Sequence, residues 1–413
     1  MTGTVKRRNS LDAVLASVLD QPGARIDRRL EVPLRLSAYQ LLYLDRVPVH
    51  AAVDDGVELA KLRGPRAAAF VNAVLRRVAT RGRERLRDLT AGTDDRALAL
   101  RFSHPEWLVR LWRREFGDEL AFALMAADNQ TPTRCLRVNE ARSDVASILA
   151  TLREKGVRAR AVEEVPGAVL VEDGPTVESL TAFRDGLITP QSLGSQLAGR
   201  VAVEGMRRGG AEVGETVRFA DLCAAPGVKT TQIAAALPAA RVVAIDADER
   251  RAAEIQAAAT RLGVSNVEVI VADVMTLPDT FDESFAAVLL DAPCTGLGTL
   301  ASRPDLRWRR RAGDVARAAR RQRQLLERAA RLVQPGGALT YSVCTLSEAE
   351  SIGVVDTLLH RGGWEVDDLS ALHPSFAHPR HGGFLLTLPS VHRTSGFFIA
   401  RLRRTRGATQ EGE

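Results

Sequence analysis

Two cysteines in the second half of the chain follow predicted strands: Cys294 ends the segment DAPC (291–294), and Cys344 lies within YSVCT (341–345). Upstream, the segment DLCAAPGVKT (221–230) is typical of a loop that holds a nucleotide-like cofactor, because small side chains let the backbone approach a ligand. A thiolate that adds to C6 of a pyrimidine makes C5 electron-rich. A cofactor loop followed by two thiols therefore suits methylation of a carbon that is not nucleophilic by itself, such as C5 of cytosine.

The elements that would position these residues begin after Gly186, where strand-like and helix-like apolar patterns alternate. Strands are predicted at 217–222, 241–245, 267–271, 286–291 and 338–343, and helices at 189–206, 229–237, 248–262 and 315–334. This alternation indicates an α/β fold, a parallel sheet with helices on both faces. Because ligands bind at the carboxyl ends of the strands in such a sheet, we expect the two cysteines to be neighbours in space.

Acidic residues follow the second and third predicted strands, at Asp246 and Asp273. Asp246 is suited to accept hydrogen bonds from ribose hydroxyls, and Asp273 is placed to meet an adenine amino group. Either acid alone could equally be a helix cap or turn residue, so the prediction depends on the loop and both acids occurring together. The sequence contains neither G-x-x-x-x-G-K-[ST] nor G-x-G-x-x-G, which disfavours nucleoside triphosphates and dinucleotides. S-adenosylmethionine, which has no phosphates, is the cofactor that fits best.

The composition describes an ordinary globular protein of two to three domains, with 413 residues, 45% hydrophobic and 26% charged. The formal net charge of +6 favours a polyanionic partner, although only weakly. The sequence has no apolar run near the ~18 residues that span a bilayer and no recognisable secretion signal, so we expect a cytoplasmic protein.

The four cysteines, at positions 135, 223, 294 and 344, include no C-x-x-C pair, so neither a disulfide framework nor a zinc site is expected. Free cysteines usually serve as small buried hydrophobic side chains, and this is what we expect of the thiols of Cys135 and Cys223. Cys294 and Cys344 differ because both occupy the predicted ligand edge of the sheet. From the residues alone, either of these two could be the attacking nucleophile.

The first half of the chain contains two further modules. Residues 11–80 read as short amphipathic helices, and a charged connector covers 81–95. A strand–helix–strand order between residues 133 and 172 indicates a small α+β module. We therefore predict three domains, namely an all-helical domain at 1–85, a connector with the α+β module at 86–185, and the sheet domain at 186–405.

Residues 186–400 resemble the Fmu/Sun family of RNA cytosine-C5 methyltransferases. The matching segments are 221–230, DAPCTGLGT (291–299), RPDLRW (303–308), QPGG (334–337), YSVCTL (341–346) and GFFIA (396–400). The first half is similar to the bacterial subfamily that carries a NusB-like RNA-binding domain, on the segments AYQLLYL (38–44), HAAV (50–53), FVNAVLR (70–76), SHPEW (103–107) and LRVN (136–139). The resemblance implies a Rossmann-like class I methyltransferase core after an all-α NusB-like domain. It also implies methyl transfer from S-adenosylmethionine to C5 of a cytosine in RNA, on the 16S ribosomal RNA branch of the family.

Carried over to this sequence, the resemblance implies that Cys344 attacks C6 of the cytosine and that Cys294 helps to release the product, as a base for the C5 proton or through elimination. Asp291 would hydrogen-bond the cytosine, assist protonation at N3 and contact the cofactor. Lys229 would keep a neighbouring thiol ionised, since thiolates need nearby positive charge. The implied cofactor-binding residues are Cys223, Ala224, Ala225, Pro226, Gly227, Val228, Lys229, Asp246, Asp273 and Asp291.

The sequence departs from the family pattern at four places, one of which is the segment ITPQSLGS (188–195) in place of a usual acidic pattern. Val228 replaces a second glycine of the cofactor loop, where we expect a small adjustment of the backbone, and Ser351 and Ser395 replace an asparagine and an aspartate. The helical domain also begins late relative to the family, as if shortened. Two alternatives stay open: a transfer RNA cytosine-C5 methyltransferase, and a catalytically degenerate RNA-binding factor in ribosome assembly.

An arginine cluster surrounds Trp308 shortly after Cys294 and is expected to contact RNA, because arginines bind phosphates and an aromatic ring can stack on a base. The cluster consists of Arg303, Arg307, Arg309, Arg310 and Arg311. RNA is the expected partner of the chain, which we predict to be a monomer without a metal ion and without a membrane contact.

Overall fold

The computed structural model describes residues 2–21, 25–208 and 217–406, and the chain divides into two compact units. The helical unit comprises the chain up to Thr131 together with the segment 300–312. The sheet unit comprises residues 132–299 and the chain from Gly313 onward. The finer division at residues 85 and 185 stays a prediction.

The helical unit is built from helices whose apolar sides pack into a shared core. Its helices are α1 (Thr2–Lys6), α2 (Arg8–Ser17), α3 (Glu31–Tyr43), α4 (Val49–Lys61), α5 (Pro65–Thr90), α6 (Asp95–Phe102) and α7 (Glu106–Asp128), with a single helical turn at Leu306–Arg309. Leu34, Val71 and Leu75 are fully buried in the core that α2, α3 and α5 form. α5 begins at Pro65, whose fixed φ suits the first helical turn. Gly117 bends α7 through a φ of 76°.

The sheet unit begins with a small antiparallel sheet in the strand order β2-β3-β1-β4. Its elements are β1 (Arg134–Val138), α8 (Val145–Glu154), β2 (Arg158–Ala161), β3 (Ala168–Asp173) and β4 (Ile188–Pro190). Leu136, Val169 and Ile188 are fully buried on the face that packs against α8. The α+β module predicted from the sequence is therefore a four-stranded sheet covered by one helix.

The large sheet has the strand order β10-β12-β9-β8-β5-β6-β7, with β11 paired to β12. Its strands are β5 (Arg218–Leu222), β6 (Arg241–Asp246), β7 (Val267–Val271), β8 (Phe285–Asp291), β9 (Val333–Val343), β10 (Trp364–Val366), β11 (Leu385–Thr387) and β12 (Phe397–Arg404). The helices between them are α9 (Leu193–Arg208), α10 (Val228–Ala236), α11 (Glu249–Leu262), α12 (Ala312–Leu332) and α13 (Ile352–Leu359). β5 to β9 run parallel, which confirms the predicted α/β fold, whereas β10 to β12 form an antiparallel edge that the sequence analysis did not include.

The strand order reverses at β5, because β6 and β7 follow on one side and β8 and β9 on the other. In parallel sheets the crevice at such a reversal, outside the carboxyl ends of the strands, is where ligands bind. The loops after β5 and β8 are the two that border this crevice, and they contain the segments 223–227 and 292–296. Within the described residues, the helices are too short or too polar for any of them to span a lipid bilayer.

Arg307 lies inside the helical unit, so the prediction that it contacts RNA is wrong. Its side chain is fully buried, with no exposed surface. The guanidinium donates hydrogen bonds to four oxygens, namely the backbone carbonyls of Lys6, Ser103 and Asp128 and Oδ1 of Asn129. A buried charge is tolerated only when hydrogen-bonded in this way, so Arg307 is a structural anchor for the segment 300–312.

Trp308 has a similar role beside it. Its indole N–H donates to the backbone carbonyl of Val5 at 2.8 Å, and the guanidinium of Arg8 lies 5.8 Å from the ring centre. Arg303, Arg309 and Arg311 are exposed. These three exposed arginines and the half-buried Arg310 remain candidates for RNA contact, whereas Arg307 does not.

We predict that Arg307→Ala destabilises the helical unit by about 3–5 kcal/mol, because several buried carbonyl oxygens lose their donor at once. The matched control is Arg309→Ala, which removes an exposed guanidinium paired only loosely with Asp305 at 3.4 Å and should cost less than about 0.5 kcal/mol. For both variants, urea unfolding measures the change in the free energy of unfolding, and hydrogen exchange measures the protection of the amides in α1 and α7. Equal protection in the two variants would contradict the anchoring role.

Candidate active site

Cys294 and Cys344 lie side by side at the carboxyl edge of the large sheet, with their Sγ atoms 3.3 Å apart. Cys344 directly follows β9, and Cys294 lies in the loop after β8. The two strands run parallel with Asp291 opposite Ser342, so both segments leave the sheet at the same level. The structure thus brings together two thiols that lie far apart in the sequence.

The thiol of Cys294 is held in its protonated form. Its pKa is raised well above the usual range, first by the contact with Cys344, then by burial and by the negative charges of Cys344 and Glu350. Two thiolates in contact would repel each other, so the pair carries at most one negative charge at neutral pH. One sulfur of the pair can therefore act as a nucleophile while the other keeps its proton.

Lys229 places a buried positive charge in the same region. Its Nζ donates to Oδ2 of Asp291 at 2.7 Å and lies 5.3 Å from the centre of the Phe397 ring. Burial is the largest single influence and lowers the pKa of Lys229. The charge and hydrogen bond of Asp291, together with the charges of Asp221 and Cys344, outweigh burial, so the pKa is raised. Lys229 therefore stays protonated, and a negative charge on Cys344 would interact favourably with it.

Asp291, the last residue of β8, is fixed on both sides. Lys229 donates to its Oδ2, and the hydroxyl of Ser342 donates to its Oδ1 at 2.6 Å. The side chain is still 30% exposed, so a ligand can reach it. Ser342 was not predicted as a site residue, although its position within the YSVCT segment was a usable signal.

The loop between β5 and α10 has a backbone that requires small residues. Cys223 has a φ of 58°, and Gly227, immediately before α10, has a φ of 91°. A Cβ at Gly227 would lie 2.9 Å from the Cα of Ile255, so both the backbone angle and the available space select glycine. Val228 is the first residue of α10 and is not among the residues with positive φ. The valine therefore needs no adjustment of the loop.

Four carboxylates act on this loop. Burial, together with the negative charges of Asp246, Asp291, Asp221 and Asp273, raises the pKa of the Cys223 thiol to about 12. The concentration of negative charge suits a ligand with positive charges, and S-adenosylmethionine carries a sulfonium and an ammonium group. The residues present therefore fit the cofactor that the sequence predicted.

Asp246 and Asp273 also hold the local backbone. Asp246 accepts the N–H of Ala225, within the loop, at 3.0 Å. Asp273 caps the turn that follows it by accepting the N–H of Met275 at 2.9 Å, and Arg321 lies 3.2 Å from its carboxylate. A carboxylate has about four acceptor sites, so both side chains can accept further hydrogen bonds. Asp273 therefore caps the turn that follows it, and its carboxylate can still accept hydrogen bonds from a ligand.

Asp221, in β5, is a further charged residue of this region that the sequence analysis did not single out. It is almost completely buried, and its Oδ2 accepts the Thr230 hydroxyl at 2.6 Å, which ties the first turn of α10 to β5. Its Oδ1 has no hydrogen-bond partner among the described residues. Burial raises the pKa of Asp221 to about 7.

Comparisons with known proteins match three segments of this chain. Residues 212–403 match the family described as 16S rRNA methyltransferase RsmB/F, residues 1–80 match the NusB family, and residues 104–178 match the ferredoxin-like domain of RsmF/B-like methyltransferases. The chain is 33% identical to the Probable ribosomal RNA small subunit methyltransferase B of Bacillus subtilis, over 97% of this chain and 88% of that protein. It is 32% identical to the ribosomal RNA small subunit methyltransferase B of Klebsiella pneumoniae, over 98% of this chain and 88% of that protein.

A solved structure is similar to this chain over nearly its whole length. The crystal structure of PH0851 superimposes with a TM-score of 0.82 over 98% of this chain and 88% of that chain, at 25% sequence identity.

We predict that Asp221→Asn flattens the dependence of stability on pH. The folded-state pKa of about 7 lies above the ordinary value of 3.8, so this group contributes stability that is complete below about pH 4 and is lost as pH rises through about 7. Between pH 5 and 8 the free energy of unfolding of the wild type, measured with urea, should fall by on the order of 1 kcal/mol per pH unit. The free energy of unfolding of Asp221→Asn should not show this fall. Asp185→Asn, at an exposed position, is the control and should follow the wild type. Parallel curves for Asp221→Asn and the wild type would contradict the raised pKa.

Proposed function

The chain belongs to the 16S rRNA methyltransferase RsmB/F family, and from that premise we propose that it transfers a methyl group from S-adenosylmethionine to C5 of a cytosine in 16S ribosomal RNA. The family matches confirm the resemblance predicted from the sequence, and the chain is a methyltransferase. The observation that carries the proposal is the contact between Cys294 and Cys344 beside the ion pair of the buried Lys229 with Asp291. It supplies a nucleophile, a second thiol and a fixed carboxylate at one place.

We assign the attack on cytosine to Cys344, because the buried charge of Lys229 acts on it. The bond between Sγ and C6 forms, N3 takes a proton, and C5 becomes the nucleophilic carbon of an enamine. Asp291, held by Lys229 and Ser342, is positioned to hydrogen-bond the ring and assist protonation at N3. S-adenosylmethionine, when bound, supplies the methyl group that C5 accepts.

We assign product release to Cys294. Once the Sγ of Cys344 is bonded to C6 it carries no negative charge, so the contact that raises the pKa of Cys294 most is relieved. Cys294 then gives its proton to solvent and takes the proton from C5. The double bond between C5 and C6 re-forms as the carbon–sulfur bond breaks, Cys344 leaves as a thiolate, and N3 gives back the proton that it took during the attack.

We propose that the cofactor is held by the loop of residues 223–228 together with Lys229, Asp246, Asp273 and Asp291. The free N–H groups at the start of α10 and the close backbone of the loop are donors for the cofactor, and the aspartates are acceptors for its ribose hydroxyls and amino groups. The cluster of carboxylates around Cys223 is the feature that supports this assignment.

Two alternatives differ from this proposal in testable ways. A degenerate assembly factor would have no reason to keep two thiols in contact beside a lysine–aspartate pair, so the geometry argues against it. A transfer RNA substrate would use the same chemistry. Incubation with tritiated S-adenosylmethionine and either 16S transcript or total transfer RNA separates the cases by which nucleic acid yields labelled 5-methylcytidine.

We predict that Cys344→Ala lowers methyl transfer to 16S transcript by at least about a thousandfold, because the nucleophile is lost. Binding of S-adenosylmethionine, measured by calorimetry, should be unchanged. Cys135→Ala is the control, because Cys135 is buried in β1 of the small sheet and should leave turnover intact. Turnover by Cys344→Ala within a few-fold of the control would contradict the assignment.

We predict that Cys294→Ala stops turnover after one methyl transfer and leaves the enzyme covalently attached to RNA. The adduct should appear as a shifted band that survives denaturation and disappears after nuclease treatment. Loss of methylation without any adduct would show that Cys294 does not act in release.

A further inference from the structure

The residue after each reactive cysteine is a threonine, and both threonines bind the same buried carboxylate. Thr295 follows Cys294, Thr345 follows Cys344, and Glu350 lies in the turn before α13. The Glu350 side chain has no exposed surface. The loops that carry the two thiols therefore converge on one buried charge.

Four hydrogen bonds to the carboxylate make up this connection. Oε2 of Glu350 accepts the backbone N–H of Thr295 at 2.8 Å and the side-chain amide of Gln322 at 3.1 Å. Oε1 accepts the hydroxyls of Thr295 and Thr345, the second at 3.1 Å. The two hydroxyls are themselves 3.1 Å apart. Because N–H groups can only donate, the two that meet Oε2 require an oxygen that accepts.

The backbone of Glu350 is fixed as well. The hydroxyl of Tyr341, in β9, donates to the Glu350 carbonyl at 2.7 Å, and Gln322, in α12, also donates to the carbonyl of Pro293 at 2.9 Å. The carboxylate is thus held between the strand that leads to Cys344 and the helix that supports the loop of Cys294. Its position cannot change without moving at least one of the two thiol-bearing segments.

We propose that Glu350 is a positioning residue, whose bridge between Thr295 and Thr345 sets the separation of the Cys294 and Cys344 thiols for the two-thiol reaction proposed above. The inference rests on that proposed function. C5 and C6 of the cytosine are bonded to each other, so a thiol that removes the C5 proton must stay close to the thiol bonded to C6. The attack on C6 needs only Cys344, whereas release needs both thiols at the right separation. A displacement of about 1 Å in such an arrangement can cost about a hundredfold in rate.

The test is Glu350→Gln, which keeps the shape of the side chain but replaces one accepting oxygen with a donor that faces existing donors. We expect the first methyl transfer, measured by rapid quenching, to stay within about threefold of the wild type, while steady-state turnover falls at least about tenfold. The covalent enzyme–RNA adduct should then accumulate during turnover. A defect that only reduces the fraction of folded enzyme would lower the amount of RNA methylated in the first turnover (the burst) and the steady-state turnover by the same factor.

Two further variants sharpen the test. Thr345→Val removes the hydrogen bond on the Cys344 side with little change in shape and should also accumulate the adduct. The double variant with Glu350→Gln should lose less turnover than the product of the two single losses predicts, because both changes break the same bridge. Glu348→Gln is the matched control, because this nearby glutamate is partly exposed and pairs with Arg380 and His381. It should keep wild-type turnover.

The outcomes distinguish a failure of the proposed function from a failure of the positioning role of Glu350. If the wild type does not methylate RNA, the proposed function itself is wrong. Suppose instead that the wild type is active. The positioning role of Glu350 is then wrong if Glu350→Gln loses the first methyl transfer and the steady-state turnover in proportion. It is also wrong if Thr345→Val keeps the wild-type rate of turnover. A slow steady state with full burst and accumulated adduct in both variants supports it.

Discussion

The proposed reaction depends on one strand pairing, the parallel register of β8 with β9. The pairing places Asp291 opposite Ser342 and lets the following segments leave the sheet together, which brings the sulfurs of Cys294 and Cys344 to 3.3 Å. A shift of one residue would turn every side chain of β9 to the other face of the sheet and separate the two thiols. The extended pairing thus brings residues that are distant in the chain into one candidate active site, and the bridge through Glu350 holds the loops beyond it.

Charge is the second constraint. The carboxyl edge of the sheet concentrates four aspartates around the loop after β5, and Lys229 is the buried cation that acts on both Asp291 and Cys344. A buried charge without a partner would be costly, so the buried ammonium of Lys229 needs the carboxylate of Asp291 beside it. In the proposed reaction the same pair serves both stability and chemistry. It fixes the carboxylate that would meet the cytosine, and it supplies the positive charge that a thiolate needs.

Much of this arrangement could be predicted from the sequence, because it follows from local patterns. Alternating strands and helices predicted the parallel sheet, and cysteines after two strands predicted adjacent thiols. Arg307 and Trp308 read as an RNA-facing cluster, because burial of an arginine depends on carbonyl oxygens from distant parts of the chain that no local pattern reveals. Glu350 was missed for a similar reason, since its partners lie 55, 28 and 5 residues away and meet only after the strands have paired. The short antiparallel strands β10 and β11, of three residues each, are too brief to carry a recognisable alternation.

The central claim is that the two thiols divide the reaction, with Cys344 attacking C6 and Cys294 acting in release. The most direct measurement is to trap the wild-type enzyme on 16S transcript that contains 5-fluorocytidine and to identify the attached cysteine by mass spectrometry. Fluorine at C5 leaves no proton to remove after methyl transfer, so the carbon–sulfur bond stays in place. The account predicts that the RNA-bound peptide carries its modification on Cys344. A modification on Cys294 would contradict it, because the attacking thiol would then be the one in the loop after β8.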